Sequence, residues 1–363
     1  MATSHPRGER EIQRAAIAIP PNIRYILRIM RSPRVRAFYY LWPGTANNHA
    51  GMGYFAKCLQ KNLGFPFFCF CNLPKDYPKP VDLAKYYAYF TSPWTDGLFL
   101  MEYLSPIGNA NQEELVLNLR KRKVHQPMVG LVHLPEGLLL KYWTMDHIRS
   151  ALDLIDHIVV YGSSLAKFLD RLGYGAKLKQ TFHYVDTDYY HPKEKPLTDQ
   201  PLKVIVFGML LRNTPVLKQI VLQCPQVNFH ICAGMADLKS TFQGLPNVVL
   251  HEYMPEPELL NKLQEADASL SVLEDTVGSN SIVAGLACGL PQIVSDVGSI
   301  RDYCSKENSF FCQDPDDYVK AIRFLSQNKD ACQNMGKNAR QRAEELSLPK
   351  SIQWFKNFFQ TIL

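Results

Sequence analysis

From residue 36 onward the chain alternates short apolar runs with amphipathic stretches, a rhythm that restricts it to layered α/β folds with mainly parallel sheets. Arg36 to Trp42 reads as a strand. A glycine-containing turn (Gly44, Gly51, Gly53) follows it, then a helix from about Tyr54 to Leu63. Phe65 to Cys71, Leu98 to Leu104, Met128 to Leu134 and Ile158 to Tyr161 read as further strands, with a helix around Gln112 to Lys123. Prolines 192, 196 and 201 and a run of charges break the pattern between Thr187 and Pro201, after which it restarts. Strands are expected at Lys203 to Phe207, Asn228 to Ala233, Val248 to His251, Ala268 to Leu273 and Gln292 to Ser295. Helices are expected at Pro215 to Gln223, Glu256 to Glu265 and Ser281 to Cys288. Two Rossmann-like halves joined by a linker is the simplest architecture. Ligands of such sheets bind beyond the carboxyl ends of the strands, so the loops there are where function is sought.

The length of 363 residues suits two domains. A composition of 46% hydrophobic and 20% charged residues excludes a disordered chain or a repetitive fibre. No apolar run approaches the roughly 18 residues needed to cross a bilayer. The net charge of +6 is concentrated: residues 1 to 36 hold eight arginines and two glutamates, while the other residues balance at 32 against 32. A neutral body with a basic arm argues against a nucleic-acid groove and for a local anionic contact, acidic lipid headgroups among the candidates. Within the arm, Ile23, Ile26, Leu27 and Met30 recur at helical spacing beside Arg24, Arg28 and Arg31, as in an interfacial helix; a solvated terminus is the alternative. The nine cysteines include no C-x-x-C pair and read as reduced thiols of a cytoplasmic protein, with Cys69 and Cys71 on one face of a strand.

The most informative stretch runs from Leu273 to Ser299. A strand ends, the small polar turn Gly278-Ser279-Asn280-Ser281 follows, and a helix begins. Its free backbone N–H groups and positive dipole end suit a diphosphate. Gly289 ends that helix and Pro291 blocks its continuation, before a strand that leads into Ser295-Asp-Val-Gly-Ser299. Asp186-Thr-Asp188 also has the spacing of a two-carboxylate metal motif, but the repeated αβ pattern favours an architecture that needs no metal.

Ala284-Gly-Leu-Ala-Cys-Gly-Leu-Pro-Gln-Ile-Val-Ser-Asp-Val-Gly-Ser299 resembles the E-A-x-A-C-G-x-P-V-I and S-D-V-G-G segments of GT-B fold glycosyltransferases, in particular retaining family 4. Asp156 to Ser164, Tyr184 to Pro192, Phe207-Gly208 and Asn247 to Met254 are similar to other segments of that family. The likeness spans roughly residues 36 to 345. It implies two Rossmann-like domains facing each other across a cleft, with a C-terminal helix returning to the first. The implied divisions are a basic arm at 1–35, an acceptor domain at 36–190, a nucleotide-sugar domain at 201–345 and the crossing helix at 346–363. In that helix Trp354, Phe355, Phe358 and Phe359 form an apolar face.

The activity implied is hexosyl transfer from a nucleotide-diphosphate sugar to a glycan or lipid-linked acceptor, with retention and no further cofactor. The resemblance places His133 at the reacting sugar, and Glu274 and Asp275, one or two residues before the position of the family's first acid, are the candidates to replace that acid there. It places Gly51, Gly53, Gly208, Arg212, Lys218, Gly278, Ser279, Asn280 and Ser281 around the donor. A peripheral contact of residues 1–36 with the inner face of an anionic membrane completes the expectation. One departure stands out: relatives carry two glutamates where this chain has Thr276 and Ala284, so the carboxylate that binds ribose is missing. A nucleotide-sugar 2-epimerase and a non-catalytic binder of nucleotide sugar or glycan are the alternatives.

Overall fold

The structure, a computed structural model, describes residues 34–39, 48–69, 80–106, 112–194, 200–234 and 236–363. The basic arm up to residue 33, with its helical spacing at Ile23 to Met30, lies outside the described residues, as do Gly44 and Cys71.

Six parallel strands form the first sheet: β1 (Val35–Tyr39), β2 (Phe67–Cys69), β3 (Gly97–Leu100), β4 (Met128–Val132), β5 (His157–Val160) and β6 (Leu178–Gln180). Their spatial order is β2-β1-β3-β4-β5-β6. The crossovers carry α1 (Met52–Leu63), α2 (Pro80–Thr91), α3 (Gln112–Lys121), α4 (Glu136–Tyr142), α5 (Met145–Asp153) and α6 (Ser163–Arg171). A second parallel sheet holds β7 (Lys203–Val206), β8 (Asn228–Cys232), β9 (Val248–His251), β10 (Ala268–Ser271), β11 (Gln292–Ser295) and β12 (Ser309–Cys312), ordered β12-β11-β10-β7-β8-β9. Its helices are α7 (Thr214–Gln223), α8 (Lys239–Phe242), α9 (Glu256–Glu265), α10 (Asn280–Ala287), α11 (Pro315–Gln327) and α12 (Lys329–Glu345). This second order is that of the doubly wound dinucleotide fold, whose strand order reverses between β7 and β10.

Strands β3, β4, β10 and β11 are buried along their whole length because both sheet faces are covered. All five residues of β4 are buried. On one face Ala84, Leu115, Leu119, Ile148, Leu152 and Leu165 bring α2, α3, α5 and α6 onto the sheet. On the other, α1 packs with α13 (Leu348–Ile362), through Phe55, Phe355, Phe358 and Phe359. Those three helix phenylalanines, each worth about 1.5–3 kcal/mol on burial, hold the last helix against the first domain as expected.

Two strands lie outside the sequence reading. β6 is a largely exposed edge strand with no apolar run, and β12 has only two buried residues. The expected strand at Leu98 to Leu104 ends at Leu100, because residues 101–104 turn and Leu104 takes a left-handed φ of 54°. The reading of all the cysteines as reduced thiols is corrected at Cys69, which is disulfide-bonded, while seven others are free. Spacing along a chain does not report which sulfurs tertiary structure brings within bonding distance. Among the described residues no helix is long and apolar enough to cross a membrane.

The chain crosses between domains twice, and the crossings pair with each other. The Val185 N–H donates to the Leu346 carbonyl at 3.0 Å, and the Leu348 N–H to the Val185 carbonyl at 2.8 Å. Beside them the domains are pinned by Tyr303, whose hydroxyl donates to the Tyr161 carbonyl at 2.5 Å and accepts the His183 N–H at 3.0 Å. Asp302 accepts the Ser163 N–H at 2.6 Å and its hydroxyl at 2.9 Å, and Ser299 accepts the Ser164 N–H at 2.9 Å. A helix of one domain is thus capped by a carboxylate of the other, with the charge sign its amino terminus favours. Gly162 makes this approach possible, since a Cβ there would stand 2.3 Å from the Ser299 Oγ.

Tyr303→Phe keeps the ring but leaves buried backbone groups of Tyr161 and His183 without their partner. A loss of about 1–3 kcal/mol is expected, read as a lower denaturant midpoint; an unchanged midpoint would show that the hydroxyl does not hold the junction.

Candidate active site

The loops after β7 and β10, on either side of the switch point, clasp each other. Arg212 and Leu273 form an antiparallel bridge, the Asn213 N–H donates to the Val272 carbonyl at 2.9 Å, and the Glu274 N–H donates to the Leu211 carbonyl at 2.9 Å. Leu211 is held at a φ of 55°, a rare conformation for a γ-branched residue. Its side chain packs against the core cluster of the first domain, which also includes Val277.

Gly208, with a φ of 76°, brings this clasp against the start of α10, since a Cβ there would lie 2.7 Å from the Ser281 Oγ. Ser279 caps α10: its Oγ accepts the Ser281 N–H at 3.3 Å and meets the Ser281 Oγ at 2.7 Å. Gly278 has a φ of 118° and lies over the Tyr303 ring, while Asn280 is exposed at the helix opening. Gly208, Gly278, Ser279, Asn280 and Ser281 are therefore gathered at one helix amino terminus.

Arg212 reaches the same place. Its Nη2 donates to the Cys232 carbonyl at 3.0 Å and to the Gly208 carbonyl, fixing the guanidinium across the ends of β8 and β7. Its Nη1 is buried and has no hydrogen-bond partner. Burial lowers its pKa from the ordinary arginine value, the direction that marks a cation held away from water. Lys218, in contrast, is part-buried on α7, which Asn213 caps by accepting the Val216 N–H.

Across the cleft, His133 follows β4. Its Nδ1 is buried without a partner, and burial, reinforced by nearby His183, pushes its pKa down to about 4. Such a ring is neutral at pH 7 and acts as a hydrogen-bonding group rather than a proton store. Tyr161, with a ring 6.4 Å from that of His133, also has a buried hydroxyl without a partner. Of the two acids, Glu274 is exposed. Asp275 is half-buried, accepts the Thr276 N–H at 2.7 Å, and has its pKa raised chiefly by burial and also by Glu136, the first residue of α4 in the opposite domain. Gly51 is the N-cap of α1 and Gly53 lies buried in its first turn; Gly51 has a φ of −84°, which any residue adopts.

The two positions of departure are structural. The Thr276 Oγ1 accepts the Gly278 N–H at 3.2 Å and its carbonyl accepts the Ser299 N–H at 2.7 Å. Ala284 is buried in the cluster that includes Ile205, Phe207 and Leu286. Asp186, in the two-carboxylate spacing, accepts the Asp188 and Tyr189 N–H groups and the Tyr54 hydroxyl, whereas Asp188 is exposed; the pair does not converge.

A family model described as "Glycosyl transferases group 1" matches residues 206–328, about a third of the chain. No curated protein matches it. Solved structures do. A sucrose-phosphate synthase from Thermosynechococcus elongatus superposes with a TM-score of 0.72 at 14% identity, covering 91% of this chain and 100% of its own. HepE from Anabaena, in complex with UDP, gives 0.69 at 13% over the same shares. A glycosyltransferase from Rickettsia africae gives 0.66 at 11%, covering 92% and 99%.

The fold is GT-B.

Within it, one group of residues escaped the sequence reading. His49, just before α1, donates its N–H to Glu256 Oε1 at 2.8 Å, and its Nδ1 lies 2.9 Å from Oε2. Its ring stacks on Tyr189 at 3.7 Å, and the Tyr190 hydroxyl donates to Glu256 at 2.7 Å. This clamp joins the two GT-B domains on the side of the cleft bounded by α9. Its residues are too far apart in sequence for any motif to join them. Ser299 was visible as the end of a motif, but nothing in the sequence linked it to Ser164.

The buried rings give a pH dependence. His133 and His183 each have a folded pKa of about 4 against an ordinary value of 6.5, so between these limits the unfolded chain binds more protons. Stability is full above pH 6.5 and falls as pH drops toward 4, by at most about 3 kcal/mol per ring. A melting temperature followed over this window should fall, and His133→Gln should flatten the slope; an equal slope in the variant would show that the ring titrates normally.

Proposed function

We propose that this protein is a glycosyltransferase of hexosyl type that moves a sugar from a nucleotide-diphosphate donor to a glycan or lipid-linked acceptor, with retention of configuration. The observation that carries the reading is the buried Arg212 guanidinium with a free Nη1 beside the capped amino terminus of α10. Departure of the nucleoside diphosphate builds negative charge on its β-phosphate. A fixed cation and helix N–H groups stabilise that charge without reorganising when it forms. Gly208, Gly278, Ser279, Asn280 and Ser281 line the diphosphate, with Lys218 a more distant cation. Gly51 and Gly53 let α1 approach the donor from the other domain. His133, neutral at pH 7, offers a hydrogen bond to the transferring sugar, and Glu274 or Asp275 orients its hydroxyls.

The match over residues 206–328 supports this reading, as does the binding of UDP-glucose by the GT-B neighbour HepE. Retention rests on the resemblance of residues 284–299 to family 4. The seven free cysteines fit a cytoplasmic location.

Arg212→Ala is expected to weaken nucleotide-diphosphate binding by roughly 10- to 100-fold, the effect of losing a charge-assisted hydrogen bond. A thermal-shift panel of UDP, GDP, ADP, CDP and their sugars measures this; equal shifts in wild type and variant would remove Arg212 from the site. Because the charge on the leaving group is met by Arg212 and α10, turnover is expected to survive EDTA. Abolition by EDTA, restored by a divalent cation, would move that role to a metal.

Ala284 favours a second reading, a non-catalytic binder of nucleotide sugar, because the ribose carboxylate has no counterpart on α10. The panel together with a turnover assay separates the two: a shift without sugar release or transfer supports the binder.

A further inference from the structure

The first domain carries an aromatic surface that the proposed reaction does not use. On α2, Ala84 and Ala88 face the core, but the opposite side presents Tyr86, Tyr89 and Phe90 to solvent where an amphipathic helix ordinarily places charge. Phe90 is 64% exposed, and Trp94, in the turn that follows, is 63% exposed. The rings are contiguous: Tyr86 and Phe90 lie 6.3 Å apart, Tyr89 and Phe90 5.7 Å. Large rings left together in water mark an interaction surface.

The acids that border it, Glu114 and Asp96, are paired with Lys85 and Arg34, and the exposed charges at the end of α3 are basic. α3 ends in the run Arg120-Lys-Arg-Lys123. Arg120 is held by Asp156, but Lys121, Arg122 and Lys123 are exposed, and the Arg122 guanidinium lies over the rings of Tyr89 at 5.3 Å and Tyr86 at 5.9 Å. The Gln126 side chain ties this run to the turn of Trp94 by donating to the Ser92 carbonyl at 2.8 Å.

Three segments converge at the amino-terminal edge of the sheet: Trp94 precedes β3, Lys123 precedes β4, and Arg34, which pairs with Asp96 at 3.1 Å, precedes β1. The described chain therefore starts beside the aromatic surface. Residues 1–33, which lead into it, hold six arginines and two glutamates. Arm and surface have the same sign, so neither neutralises the other. Aromatic rings flanked by exposed Lys and Arg match a bilayer interface, where rings enter the headgroup region and cations meet acidic lipids.

We propose that Tyr86, Tyr89, Phe90 and Trp94, with Lys121, Arg122 and Lys123, form a docking surface for an anionic lipid bilayer. The carboxyl ends of the strands, and with them the cleft, lie at the other edge of the sheet, so docking leaves the cleft open. The proposal does not rest on the enzymatic reading.

Vesicle flotation of the full chain tests it, using phosphatidylcholine alone and phosphatidylcholine mixed with phosphatidylglycerol. Wild type is expected to float with the mixed vesicles, less so at high salt, and not with phosphatidylcholine alone. Phe90→Ser with Trp94→Ser, and separately Arg122→Gln with Lys123→Gln, should each lower partitioning roughly tenfold or more, with the melting temperature and nucleotide shifts unchanged. Variants that float like wild type would overturn the proposal, as would a wild type that fails to float. A wild-type dimer that the Phe90/Trp94 variant converts to monomer would assign the surface to a second copy instead. If changing the six arginines of residues 1–33 to glutamine abolishes flotation while the surface variants have no effect, the arm alone is the membrane contact and the proposal falls.

Discussion

The Tyr303 hydroxyl is where the two domains become one machine. It bonds the Tyr161 carbonyl at the end of β5 and the His183 N–H in the first crossing segment. Next to it Asp302 caps α6 of the opposite domain, and Arg342 donates to the carbonyls of Asp302 and Tyr303. These bonds are made in a buried setting, where a satisfied polar network is stiff and a broken one is costly. The relative position of the cleft walls depends on this junction, because the paired crossings at Val185 and Leu346 lie alongside it.

The cleft inherits its chemistry from that position. One wall supplies a helix amino terminus and a buried guanidinium, the other a neutral histidine with an unpartnered Nδ1 and, 6.4 Å away between ring centres, a tyrosine whose buried hydroxyl is also unpartnered. Unpartnered buried polar atoms are unfavourable unless something bonds them. Three such atoms, the Arg212 Nη1, the His133 Nδ1 and the Tyr161 hydroxyl, lie beyond the carboxyl ends of strands on the two sides of the cleft, where ligands of such sheets bind. The left-handed Leu211 adds to this picture, since strain of that kind persists only where surrounding contacts enforce it.

The architecture was legible in the sequence because parallel sheets covered on both faces leave apolar runs, as β4, β5 and β7 do, with buried polar residues interrupting them in β10 and β11. Edge strand β6 was not, since an exposed strand has no need of such a run; β12 carries the apolar Phe310-Phe311-Cys312 and was missed nonetheless. Gly208, Arg212 and residues 278–281 could be found together because they belong to loops that follow two strands flanking one switch point. His49 and Glu256 could not, being 207 residues apart.

The sequence by itself determined the alternation of elements, the helix that opens at Ser279, the basic arm and the uncharged residues at Thr276 and Ala284, all of which are local in the chain. Only the tertiary structure decided that Arg212 is fixed on the Gly208 and Cys232 carbonyls with its Nη1 buried and unpartnered, that Thr276 caps its own loop, and that α2 turns aromatic rings to water. The reason is physical. Periodicity and caps are set by neighbours along the chain, whereas burial, orphaned hydrogen-bonding atoms and exposed faces depend on what distant segments bring alongside.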